Sequence, residues 1–126
     1  MAAARLVDLA SADAVEEAGR GLRFEVLEAG QRVGAFVVRH RGQLRAFVNR
    51  CAHVAVELDW QPGEFFDAEG RWLICATHGA LYDPDSGACV GGPCRGRGGL
   101  KPLKVVEQDG RICWVEQPPF TAPGDG

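Results

Sequence analysis

Apolar and polar residues alternate with a period of two in three successive runs between residues 22 and 50. Because successive side chains of a strand point to opposite faces, this pattern predicts three β-strands that each bury one face. Turn-forming stretches at residues 28–31 and 41–42 separate the runs, so we expect the strands to be antiparallel. The alternating apolar positions are Phe24 and Val26, then Val33, Ala35 and Val37, then Leu44, Ala46 and Val48.

The second half of the chain predicts shorter strands between strong turn signals. Asp67-Ala-Glu-Gly70 is typical of a hairpin turn and precedes a strand at 71–74, and Asp83-Pro-Asp-Ser-Gly87 is a further turn. Residues 103–107 and 111–116 are expected to form a hairpin across Gln108-Asp-Gly110, where Asp-Gly suits a two-residue turn. The pattern favours an all-β fold of short antiparallel strands, a small sandwich or barrel.

The two ends of the chain depart from this pattern. Residues 11–18 predict one short helix with Ser11 as its N-cap and with acidic residues near its start. Residues 117–126 are rich in Pro and Gly and are expected to form a flexible tail. We therefore expect a single domain over residues 1–126, with its core at about 21–116.

Composition and charge exclude several function classes. The chain has 126 residues, 46% hydrophobic and 25% charged, as in an ordinary globular domain. A formal net charge of −3 does not suggest a nucleic-acid partner. The sequence has no apolar run of the length of a membrane span and no signal-peptide pattern, so we expect a cytoplasmic protein without a membrane partner.

Two pairs of potential metal ligands follow predicted strands. Cys51-x-His53 and Cys75-x-x-His78 together supply two thiolates and two imidazoles. Zinc sites also use two Cys and two His, but their usual spacing places Cys with Cys and His with His. Mixed Cys/His pairs are typical of an iron–sulfur centre in which two His replace two Cys on one iron.

Together with the residues that follow them, the two pairs resemble the Rieske [2Fe–2S] domain. Gly79, the turn at 83–87 and the loop Gly91-Gly-Pro-Cys94 also match that family. The resemblance implies a Rieske-like β fold with a cluster-binding subdomain, in which the loop at 91–94 covers a Rieske-type [2Fe–2S] cluster. It implies that Cys51 and Cys75 hold one iron and that His53 and His78 hold the outer iron.

Departures from the family pattern narrow the expected function. Respiratory Rieske proteins carry a disulfide at the positions of Val56 and Thr77 and have a membrane anchor. The chain is more similar to soluble Rieske-type ferredoxins, which implies an electron carrier between a reductase and a terminal enzyme such as an oxygenase. High-potential members place Ser and Tyr hydroxyls where this chain has Ala80 and Tyr82. One donor is kept, so we predict an intermediate potential.

Two other functions compete with the electron carrier. One is the small Rieske-like subunit of a reductase of the nitrite-reductase type, and the other is a redox-sensing or zinc module. The chain is too short for the catalytic iron domain of a Rieske oxygenase, and His40 is the only spare histidine, which we expect to be a solvated loop residue. We expect an electron-transfer component rather than a catalyst.

The remaining cysteines, the tryptophans and a basic run carry weaker expectations. Cys113 is expected to be a core residue, and Cys89 and Cys94 are expected to be free thiols because cytosolic disulfides are rare, although they could pair. The three tryptophans are expected to pack in or near the core. A basic run near the cover loop could dock an acidic redox partner. The tryptophans are Trp60, Trp72 and Trp114, and the basic run is Arg95, Arg97, Lys101 and Lys104.

Overall fold

The computed structural model describes residues 5–51, 56–94 and 98–123, and over these ranges the secondary structure is almost entirely β. This confirms the predicted fold class. Two 3-10 turns are present, and no helix in the described part of the chain is long and apolar enough to cross a membrane. The strands are β1 (Arg5–Ser11), β2 (Leu22–Glu28), β3 (Gln31–His40), β4 (Gln43–Val48), β5 (Leu73–Ile74), β6 (Leu81–Tyr82), β7 (Cys89–Gly91), β8 (Pro102–Leu103), β9 (Val105–Gln108), β10 (Arg111–Glu116) and β11 (Phe120–Thr121).

The strands form three antiparallel sheets. One has the order β1-β10-β9, the second has the order β11-β2-β3-β4-β8, and the small third sheet has the order β5-β6-β7. The three alternating runs are β2, β3 and β4, which pair as consecutive antiparallel neighbours as predicted. The hairpin across Asp109 and Gly110 is also confirmed, with β9 and β10 as its strands.

Strand β3 is covered on both faces, which places the core on two sides of the central sheet. Ala35 and Val37 pack toward the sheet that contains Trp114 and Ile112. Phe36 and Val38 point the other way and pack with the cysteines and with Tyr82. Residues 35–38 are therefore all buried, as expected for a stretch of strand that is covered on both faces.

The predicted helix at 11–18 is wrong. Ser11 ends β1 and its hydroxyl accepts a bond from the Asp13 amide, as an N-cap would, but only a 3-10 turn (Ala12–Ala14) follows. Val15 is 2% exposed and anchors this segment against Val37. Forming the first turn of a helix is unfavourable, so an eight-residue helix is marginal without tertiary contacts. Here Ser11 pairs with Arg111 and Glu17 forms a bridge with Arg39 instead.

The C-terminal segment also differs from the sequence expectation. Phe120 and Thr121 form β11 against β2, and Phe120 is 7% exposed in the core cluster that contains Trp114. The backbone of this segment therefore pairs with β2, although its Pro-rich composition does not predict a strand. Residues 124–126 of the expected tail lie outside the described part of the chain.

Candidate metal centre

Two loops at one end of the central sheet carry the predicted ligands. The first loop follows β4, where the Cys51 amide donates to the Val56 carbonyl at 2.8 Å. The second loop follows β5, where the Cys75 amide donates to the Ala80 carbonyl at 2.9 Å and the Gly79 amide donates to the Cys75 carbonyl at 2.7 Å. These bonds join the two ends of each loop.

The described ligands lie close together. The ligand atoms of Cys51, Cys75 and His78 all lie within 4.8 Å of one another. Both cysteines are buried, at 2% and 0% exposure, whereas His78 is exposed. The fourth predicted ligand, His53, lies outside the described residues. Two buried thiols beside an exposed imidazole are the donor chemistry that a Rieske-type centre requires, with the histidine on the solvent side.

The environment of Cys75 disfavours a free thiolate. Burial raises the pKa of this thiol, and the neighbouring Cys51 sulfur raises it further, while the backbone amides of His78 and Thr77 oppose the shift. Only deprotonated thiols are metal ligands, so occupation of the site releases protons. A bound iron would therefore supply the positive charge that stabilises Cys51 and Cys75 as thiolates.

One hydroxyl group contacts the sulfur pair. Tyr82 lies on β6, is fully buried, and places its Oη 3.2 Å from Cys51 Sγ. When Cys51 is a thiolate, the phenol O–H is the donor. Ala80, at the position where high-potential members have a second hydroxyl, is also fully buried and offers none. The structure thus places Tyr82 as the resemblance implies.

The loop at 91–94 packs against the second ligand loop. A Cβ on Gly92, whose φ is +80°, would lie 2.6 Å from the Gly79 carbonyl oxygen and 2.9 Å from Ala80 Cα. A side chain at this position would push the two loops apart. The close approach is consistent with a loop that covers the site.

Cys89 and Cys94 form a disulfide, contrary to the expectation of two free thiols. Cys89 lies opposite Tyr82 on β7, and the 3-10 turn Gly92–Cys94 folds back so that the Cα atoms of the two cysteines are 6.2 Å apart. That separation is within the range that a disulfide spans. The turn at Gly92–Cys94 therefore brings these cysteines close enough to pair, although disulfides are rare in the cytosol.

Several residues lie elsewhere than expected. His40 is not solvated: its side chain is 13% exposed, its Nδ1 lies 3.2 Å from Asp85 Oδ1, and its ring stacks on Phe66. Cys113 is half-buried rather than a core residue. Trp114 is in the core as predicted, but Trp60 is 77% exposed.

Of the basic run, the structure describes Lys101 and Lys104. Lys101 Nζ lies 3.0 Å from Glu28 Oε2, so this charge is paired with an acidic residue of the same chain. Arg50 Nη2 lies 3.9 Å from the other oxygen of Glu28. Lys104 is exposed, and Arg95 and Arg97 lie outside the described residues. The docking role of this run stays a prediction.

A buried polar pair beside the first ligand loop was only half visible in the sequence. Asn49 stands two residues before the predicted ligand Cys51, whereas Asp59, whose Oδ1 accepts from Asn49 Nδ2 at 2.8 Å, is adjacent to no predicted ligand in the sequence. Both residues are buried, at 4% and 5% exposure. Asp59 carries no local signal of its role, because its partners lie 4 to 36 residues away along the chain.

Comparison with known proteins identifies a domain family. A family model described as the Rieske [2Fe-2S] domain matches residues 6–117, which is most of the chain. A comparison with curated protein sequences found no match. The matched range contains every predicted ligand and all of the described strands except β11 and the first residue of β1.

Solved structures with the same fold include components of carbazole 1,9a-dioxygenases. The ferredoxin from Nocardioides aromaticivorans IC177 superposes with a TM-score of 0.68 at 25% identity, and the match covers 89% of this chain and 98% of the ferredoxin. The terminal oxygenase from Novosphingobium sp. KA1 gives a TM-score of 0.69 at 24% identity, covering 93% of this chain and 31% of the oxygenase.

A chain in a reduced oxygenase–ferredoxin complex of carbazole 1,9a-dioxygenase gives a TM-score of 0.72 at 19% identity. That match covers 98% of this chain and 30% of the other. The protein thus spans about a third of the longer chains that it matches, and nearly the full length of the ferredoxin. At 19% and 24% identity, the similarity to the longer chains concerns the fold alone.

Proposed function

The chain belongs to the Rieske [2Fe–2S] domain family, and on this premise we propose that it is a one-electron carrier that takes electrons from a reductase and passes them to a terminal oxygenase. The observation that carries the proposal is the convergence of Cys51, Cys75 and His78 within 4.8 Å. The near-complete match to a ferredoxin of an oxygenase system supports the choice of partner class.

The proposed ligand set follows from the spacing of the two Cys/His pairs and, for Cys51, Cys75 and His78, from their burial. Cys51 and Cys75 hold the inner iron, while His78 and His53 hold the outer one. When bound, a cluster of this kind accepts and returns one electron at a higher potential than an all-cysteine cluster. Because both cysteines are buried, the cysteine side of the cluster would be shielded from water. The exposed edge of His78 would provide the surface for electron transfer.

Two further proposals concern the domain organisation and the location of the protein. We propose that residues 1–126 act as one domain, because the family match and the strand pairings together run from β1 to β11. We also propose a cytoplasmic location, as expected for a carrier that meets reductase and oxygenase partners; the protein is then one of the uncommon cytoplasmic proteins with a disulfide, the Cys89–Cys94 bond.

Metal analysis with matched variants tests the ligand set. The purified protein should be red-brown and contain about two iron and two sulfide per chain. Cys51→Ser, Cys75→Ser and His78→Ala should each lose the cluster. Two matched controls are Cys113→Ser, at a half-buried cysteine on β10, and His40→Ala, at a histidine paired with Asp85.

The controls should keep wild-type iron content and a wild-type electron paramagnetic resonance spectrum. Protein reduced with dithionite and freed of excess reductant should then deliver one electron per chain to ferricytochrome c. Colourless protein that contains zinc would contradict the proposal, as would iron loss in the controls equal to that in the ligand variants.

A further inference from the structure

A buried amide–carboxylate pair closes the neck of the first ligand loop. Asn49 precedes Cys51 by two residues, and its Nδ2 donates to Asp59 Oδ1 at 2.8 Å. The Asn49 Oδ1 accepts from the Leu58 amide at 2.8 Å, and the Asp59 Oδ2 accepts from the Gly63 amide at 2.9 Å. Both ends of the loop are therefore joined through side chains.

The same pair fixes the loop to the central sheet. The Asn49 amide donates to the Gly34 carbonyl on β3 at 2.8 Å. Arg23 on β2 places its Nε 3.3 Å from Asp59 Oδ2, and the Asp59 side chain is fully buried. A buried carboxylate is costly unless its oxygens are paired, and here both are used. We call Arg23, Asn49 and Asp59 the loop clamp.

The loop clamp also reaches the second ligand loop through the backbone of one residue. Leu58 donates its amide to Asn49 and accepts at its carbonyl from the Ala76 amide at 3.0 Å. Ala76 follows the ligand Cys75 directly. Leu58 is fully buried in the cluster of residues that contains both ligand cysteines. A displacement of Asn49 would thus change the separation of the two ligand loops.

We infer that Asn49 and Asp59 are positioning residues that set the distance between the two ligand loops, and thereby the geometry and retention of the cluster. This rests on the proposed function, since it concerns the same site. The contacts are directional, because Asn49 must donate to Asp59 while accepting from Leu58. An amide at position 49 and a carboxylate at position 59 satisfy all of these contacts.

Single substitutions that conserve shape break these contacts. Asn49→Asp replaces the Nδ2 donor with an oxygen and sets two carboxylates against each other. In Asp59→Asn the new amide has two orientations. One places its NH2 group against Asn49 Nδ2 and the other places it against the Gly63 amide, so each orientation sets two donors against each other. An unmatched buried polar group of this kind displaces the backbone around it.

Exchanging the two residues restores the pairing. In Asn49→Asp/Asp59→Asn the amide at 59 donates to the carboxylate at 49, which still accepts from Leu58, and the carbonyl at 59 accepts from Gly63. Glu57→Gln is the matched control, because Glu57 also pairs with Arg23 (3.0 Å) but its side chain is 51% exposed.

The experiment measures cluster release to an iron chelator and the electron paramagnetic resonance spectrum of the reduced protein. Each single variant should shift the g values and release iron about tenfold faster or more, the usual scale for groups that orient metal ligands. The exchanged double variant should return toward wild type in both measurements. Glu57→Gln should resemble wild type throughout.

Wild-type spectra and release rates in both single variants would overturn the inference, even if their thermal stability falls. Equal effects of Glu57→Gln and Asp59→Asn would overturn it too. If the buried variants do not fold, Arg23→Gln, at a side chain that is 40% exposed, takes their place under the same criteria. If wild-type protein holds zinc, the proposed function fails, and zinc release from the same variants still tests the positioning role.

Discussion

At the residue scale, a buried phenol lies against one of the ligand sulfur atoms. Tyr82 has no solvent exposure and its Oη is 3.2 Å from Cys51 Sγ, so its hydroxyl is held against this sulfur and away from water. A donor to a ligand sulfur stabilises the state with more negative charge, which for a cluster is the reduced state. This hydroxyl should therefore raise the reduction potential.

Tyr82→Phe should lower the midpoint potential by about 40 mV, because a hydrogen bond worth about 1 kcal/mol corresponds to that shift in a one-electron couple. Protein-film voltammetry of both forms measures it. Thr121→Val removes a hydroxyl from the exposed end of β11 and serves as the matched control, with no expected shift. An unchanged potential in Tyr82→Phe would rule out the tuning role.

At the scale of the elements, a single carboxylate secures the β3–β4 hairpin. Arg41 and Gly42 both have positive φ, as a tight two-residue turn requires. Glu17 accepts from their amides, at 2.6 Å from Arg41 and 2.8 Å from Gly42. The Gly42 amide is the largest cause that lowers the pKa of Glu17, with smaller contributions from Arg41, His40 and Arg39.

A lowered pKa in the folded state means that ionised Glu17 stabilises the fold above its unfolded-state pKa. That contribution is lost as pH falls through the folded-state pKa. Glu17→Gln should reduce the free energy of unfolding at neutral pH by less than about 1 kcal/mol, since the group is exposed.

Urea unfolding of wild type and variant across acidic pH tests this prediction. The difference between the two should disappear as the pH falls, whereas Glu16→Gln, at an exposed neighbour, should show none at any pH. A difference that persists at low pH would assign the effect to something other than the charge of Glu17.

At the scale of the whole molecule, one strand joins the ligand loops to the rest of the fold. Phe36 stacks on Phe65 with ring centroids 3.9 Å apart, on the side of β3 that faces the cysteines. Its neighbours Ala35 and Val37 pack against the opposite sheet. Because adjacent residues of β3 serve both cores, we expect the cores to unfold together.

Phe36→Ala should lower the free energy of unfolding by about 3–5 kcal/mol, the usual cost of removing a buried aromatic ring. Far-UV circular dichroism and tryptophan fluorescence should report one coincident transition in both proteins. Leu6→Ala, at a residue that is 44% exposed, is the control and should change little. Separate transitions for the two probes would contradict the single-domain proposal.

Much of the fold and of the site could be predicted because the signals are local. Period-two alternation identified β2, β3 and β4, and Asp109-Gly110 identified the turn between β9 and β10. The identities and spacings of the cysteines and histidines predicted the ligand loops. Such features depend on side-chain chemistry and on the alternating faces of a strand, which are already present in a short segment.

The rest depended on partners that are distant along the chain. Arg5–Ser11 is a strand because it pairs with Arg111–Glu116, and Phe120–Thr121 is a strand because it pairs with β2. Asp59 acquires a role only where folding brings Arg23 and Asn49 to it. Residue types and their spacing thus specified the metal chemistry. The Cys89–Cys94 bond depended on the conformation of the turn at Gly92–Cys94, which residue types alone do not reveal. Pairing between distant segments decided the strands at the chain ends and the groups that hold the ligand loops, because the free energy of that pairing comes from contacts that no short segment contains.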